Sequence, residues 1–86
     1  MDPIQARNDE THRKVAARIR QDAGVIAEAR ARLERWIERD GAPIDPALEE
    51  WLDALDMMDA QDLAEFLEST SPRAKRMRIS SPFVAP

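Results

Sequence analysis

The stretch VAARIRQDAGVIAEARARLERWI, residues 15–37, decides how this chain folds. Val15, Ile19, Ala23, Ile26, Leu33 and Ile37 recur at steps of three and four or their multiples, with Ala29 or Arg30 between, which puts them on one face of a helix. Trp36 stands beside that stripe. Gly24 is its weak point: glycine inside a helix costs about 1 kcal/mol against alanine, and it can also end a helix. The stripe keeps its phase across Gly24, and neither Pro nor Asn follows. The spacing therefore predicts one long helix from near Asn8 or Asp9 to Asp40, bent at Gly24. A break at Gly24 is the alternative; it folds the N-terminal part back and gives a four-helix bundle.

Downstream, Gly41 has the place of a residue just past a helix end. Asp45-Pro46 restarts a helix, with Asp45 as N-cap and Pro46 at the first turn. Leu48, Trp51, Leu52 and Leu55 give that helix its apolar face. Asp59 caps a third start, with Met58 and Leu63 at the spacing of a hydrophobic staple. Leu63, Phe66 and Leu67 face inward, and the helix stops near Ser69. Upstream, Asp2-Pro3 is a further possible start, but the residues after it are polar, so 1–8 read as an arm. Residues 70–86, with Pro72, Pro82 and Pro86 and scattered apolar content, read as a flexible basic tail. The expected fold is all-α: a long helix with two shorter ones packed back on it in residues 9–69, and a disordered tail.

Composition supports the class. The 86 residues contain two Gly and no Tyr, and Ala, Leu, Glu and Arg, all good helix formers, dominate. Without Cys there are no disulfides or thiolate metal sites, and a single His makes a structural zinc site unsuitable. No apolar run approaches the ~20 residues that span a bilayer, and the N-terminal residues lack a signal-peptide pattern. A cytoplasmic location and no membrane contact are expected. Eleven Arg against two Lys suggest a GC-rich, bacterial or phage genome.

If the short helices cover only the C-terminal half of the long one, Val15, Ile19 and Ile26 remain open, and an uncovered apolar stripe marks an interface. A homodimer is the simplest cover. Trp36 and Trp51 read as interhelix packing, Met57-Met58 as adaptable core or linker, and His12, between polar neighbours, as exposed.

Charge is sharply segregated. Residues 41–71 hold nine acids and no base, residues 1–40 nine bases and eight acids, and the remainder four bases. Glu49, Asp53 and Asp56 follow at four and three, with Glu50 and Asp59 near them and Asp62 and Glu65 continuing on the next helix. Like charges at this spacing cost a helix a few tenths of a kcal/mol. Either they form a solvated face or a binding ridge for a basic surface. The second possibility makes the chain an acidic module that inhibits or regulates a basic, nucleic-acid-handling protein. Phage-encoded inhibitors of bacterial defence, anti-CRISPR proteins among them, are the analogy that size and charge suggest. A small dimeric nucleic-acid-binding regulator is the alternative, using Arg7, Arg13, Lys14, Arg18 and Arg20 with tail residues Arg73, Lys75, Arg76 and Arg78. The acidity of the chain, with a pI near 4.9, opposes direct nucleic-acid binding. Those tail cations also have a second possible place, on the acidic ridge of the same chain or of a neighbour. A purely structural assembly subunit is a third possibility. No cofactor is expected and catalysis is not, because there is no phosphate loop, no HExxH motif and no nucleophile set near the lone His.

Overall fold

The computed structural model describes residues 3–84, with side chains from Ala6 onward. Five helices follow in order among the described residues: α1 Pro3–Gln21, α2 Gly24–Asp40, α3 Pro46–Met57, α4 Ala60–Glu68 and α5 Pro72–Arg78. The all-α reading holds. The single long helix does not: the chain breaks at Asp22-Ala23, and Gly24 opens α2. A helix from residue 9 to 40 needs roughly 46 Å, whereas the molecule is 32 Å in its longest dimension.

The break has a local cause. Asp22 Oδ1 accepts a hydrogen bond from the Gly24 N–H at 2.9 Å, and the Asp22 carbonyl accepts from Val25 N–H at 3.3 Å. This short Asp-centred turn competes with helix continuation. It frees α1 to fold back, where it packs chiefly on α4, while α2 packs on α3. Val15 and Ile19 are thereby buried in the core with Leu33, Trp51, Leu63 and Leu67, and Ile26 is half-buried against it. The open stripe that suggested a dimer is closed within one chain.

The cap signals are borne out. Gly41, at φ +72°, donates its N–H to the Ile37 carbonyl at 3.0 Å. Asp45 accepts from Ala47 N–H at 2.9 Å ahead of Pro46, and Asp59 accepts from Asp62 N–H at 2.8 Å. The suggested cap at Asp2 lies outside the described residues, but α1 already begins at Pro3, so most of the expected arm is helical.

The tail departs most from expectation. Ser71 caps α5 by accepting from Ala74 N–H at 3.2 Å, with Pro72 in the first turn. Ala74 and Met77 are buried, and residues 81–83 return to the core. Phe83 meets Trp51 edge-on with centroids 5.9 Å apart, and Arg32 donates to the Pro82 carbonyl at 2.6 Å. The small core expected for residues 9–69 is completed by the segment after it, which adds Met77 and Phe83.

Candidate functional site

The acidic surface is built on α3 and α4, but folding uses much of it. Glu50 accepts from Arg76 Nη1 and Nη2 at 2.8 and 2.9 Å and from Arg73 Nε at 3.2 Å. The Arg76 hydrogen bonds, with Arg73 adding to them, hold its carboxyl well below the ordinary range, at about 2, against the opposing effect of burial. Asp56 pairs with Arg30 at 2.7 Å, and Glu68 pairs with Arg20. Each of these bridges joins the acid-rich pair α3 and α4 to an arginine on α1, α2 or α5. The segregation along the sequence is therefore complementarity in space. Asp45 and Asp59 serve as caps. Glu49, Asp53, Asp62 and Glu65 remain exposed with no cation within 4 Å among the described residues. Glu65 accepts only from Gln61, at 2.9 Å.

Two of the four tail cations, Arg73 and Arg76, lie on the ridge of their own chain, one of the places the sequence allowed for them. Arg73 and Arg76 are on Glu50, and Arg73 also covers the Phe66 ring at 5.5 Å. Lys75 is exposed. Arg78 is 3% exposed; it donates to Asp9 at 3.0 Å and to the carbonyls of Leu67 and Ser69 at 3.2 and 2.7 Å. On α1, Arg7, Arg13, Lys14, Arg18 and Arg20 are exposed.

Beside Arg78 sits the residue that sequence reasoning misplaced. His12 is fully buried, not exposed. Its Nδ1 is 2.8 Å from the Asn8 carbonyl, which can only accept, so Nδ1 carries the proton. Nε2 is buried with no hydrogen-bond partner among the described residues. Burial lowers its pKa, the Asn8 contact opposes this, and the Arg78 charge lowers it further. Asn8 in turn donates to the Arg78 carbonyl at 2.9 Å. The signal was present: His12, Val15, Ala16 and Ile19 share one helical face, and the stripe starts one turn earlier than its apolar members indicate.

Two depressions open on the surface. The larger, about 520 Å³, lies among α1, the end of α2, the start of α3 and the returning segment, with Trp36, Leu48, Ile79 and Val84 in its walls. Its acids are engaged, Asp40 with Arg39 and Asp45 as a cap. The smaller, about 380 Å³, is on the acidic side and is lined by Met58, Asp62, Glu65, Phe66 and Ser69. Sequence reasoning placed Asp62 and Glu65 together but not their apolar company. Among the described residues no three His, Cys, Asp or Glu side chains are grouped to hold a metal ion, and no helix is long and apolar enough to cross a membrane.

Comparison with protein families, with characterised proteins and with solved structures gives no match to this chain. Its function is argued from its surface alone.

Proposed function

We propose that the chain is a non-catalytic helical binding module whose acidic face engages a basic protein, inhibiting or regulating it. One observation carries this: after the internal bridges and caps are formed, Glu49, Asp53, Asp62 and Glu65 still point to solvent, and no basic residue lies between Gly41 and Ser71. Carboxylates arranged without countercharge make the local potential negative and steer cationic partners. A nucleic-acid-handling protein is the natural target, since its groove is built for anions.

Pull-down from a bacterial lysate with the wild-type chain and with Glu49→Gln/Asp53→Asn/Asp62→Asn/Glu65→Gln tests this. Recovery of a basic protein that is lost in the variant and weakened by moderate salt supports the proposal. Equal recovery by both chains refutes it.

Direct nucleic-acid binding is the second reading. Arg7, Arg13 and Arg18 are exposed on α1 with no ion pair among the described residues, which favours it. Two features weaken it: Arg73, Arg76 and Arg78 are spent inside the molecule, and Val15 and Ile19 are not free to dimerise.

A further inference from the structure

We infer that the cleft between Met58 and Phe66 is an anchor pocket for a basic amphipathic segment of a partner protein; this rests on the acidic-face proposal and gives it a specific chemistry. The acidic face is not uniformly polar. Met57, the last residue of α3, is 84% exposed, the most open large apolar side chain of the described residues. The next residue, Met58, lines the cleft with Phe66, and the same cleft carries Asp62 and Glu65. An exposed apolar group next to unpaired carboxylates has a matching ligand: a side chain with apolar bulk and a neighbouring cation. Methionine adapts to such ligands because its side chain is unbranched and polarisable. Helical segments present apolar and charged residues at i and i+3 or i+4, and Asp62 and Glu65 are three apart on α4.

The chain itself supplies a precedent for this chemistry. Arg73 already lies over Phe66 at 5.5 Å, and Trp51 meets the same ring edge-on at 6.0 Å. The same Phe66 thus takes a guanidinium and also lines the cleft. A nucleic acid does not fit, because phosphate meets Asp62 and Glu65. A second copy is less suited: among the described residues the basic face of α1, Arg13, Lys14 and Arg18, has only Ala17 as exposed apolar company, since Val15 and Ile19 are inside; the exposed Ile79 after Lys75 and Arg76 is what a second copy could offer, and light scattering tests that occupant.

The test is fluorescence anisotropy with three labelled probes: a helical leucine–lysine peptide, the same peptide with serine for leucine, and the same peptide with glutamate for lysine. The leucine–lysine peptide binds, the serine peptide binds about tenfold more weakly, and the glutamate peptide does not bind. Met58→Gln, in the cleft wall, weakens the first interaction about fivefold and leaves the second unchanged. Asp62→Asn/Glu65→Gln weakens both. Thermal melts of the variants confirm that they fold; Asp62 and Glu65 are exposed and Met58 is half-buried. Equal binding of the leucine and serine peptides, unaffected by Met58→Gln, overturns the anchor pocket while the acidic-face proposal stands. Binding of neither peptide overturns both. A wild-type dimer in light scattering that Met58→Gln makes monomeric also overturns it, since a second copy is then the occupant.

Discussion

The indole Nε1 of Trp51 donates to the carbonyl of Met77 at 2.8 Å. The donor is buried in the middle of α3 and the acceptor lies in the last turn of α5, so this bond ties the acid-rich helix to the basic segment after it. Trp51→Phe keeps most of the packing and leaves the Met77 carbonyl without this partner. A loss of about 1–2 kcal/mol is expected from urea denaturation. Phe83→Ala, which removes the ring stacked edge-on against Trp51, costs more, about 3 kcal/mol. A disordered tail would give no change for Phe83→Ala.

Arg78 is a structural cation. Its guanidinium reaches Asp9 and two backbone carbonyls that end α4, and three directions at once suit a planar fork better than an ammonium. Arg78→Ala is expected to lower stability by about 3 kcal/mol, because Asp9 and the two carbonyls all lose the guanidinium that joins them in a partly dry site. Arg78→Lys recovers only part of this. Denaturant midpoints for the two variants provide the check.

His12 makes the fold sensitive to acid. Its folded pKa lies below the ordinary 6.5, so the unfolded chain takes up a proton first as pH falls. The stability that neutral His12 contributes is complete above 6.5 and is lost as pH drops through the lowered folded value. The charged groups around it are Arg78 from α5, which disfavours its protonation, and Asp9 on its own helix, which favours it. Thermal melts across this range show a falling midpoint for wild type, and His12→Leu removes that slope. Glu50 does not confound the result: held at about 2, its contribution persists above 4.5 and fades only as pH falls toward 2.

Gly24 and Gly41 differ in what they tolerate. At Gly24 an added Cβ comes 3.0 Å from Asp22 Oδ1, the end of a flexible side chain, and the backbone is not left-handed. Gly24→Ala changes stability by less than about 0.5 kcal/mol and leaves the mass seen in light scattering the same as wild type. Gly41, at φ +72°, is strained by any side chain, and Gly41→Ala costs about 1 kcal/mol. If Gly24→Ala instead fuses α1 and α2, the chain dimerises through Val15 and Ile19.

The sequence made helix content and most caps legible because these are local. Asp45-Pro46, Asp59 and Gly41 each act within a few residues of themselves. The break at Asp22 was not legible from periodicity, since Ile19 and Ile26 keep one phase whether α1 continues or folds back. Ser71-Pro72 repeats the pattern of Asp45-Pro46, so α5 had a signal; the prolines and basic charge obscured it. The ridge was legible as a run of carboxylates. Which of them are spent on Arg20, Arg30, Arg73 and Arg76 depends on tertiary pairing, and so does the cleft that joins Asp62 and Glu65 to Met58 and Phe66.

The bond from Asn8 to the Arg78 carbonyl spans 70 residues, and Phe83 completes the cover over Trp51. A growing chain must therefore extend past Arg78 before α1 can make this contact, and past Phe83 before that ring covers Trp51. Until then α1 and α4 can pair, but Trp51 lacks part of its cover. A chain cut before Pro72 therefore leaves the Trp51 face open to proteolysis, whereas one that includes residues 72–83 shields it.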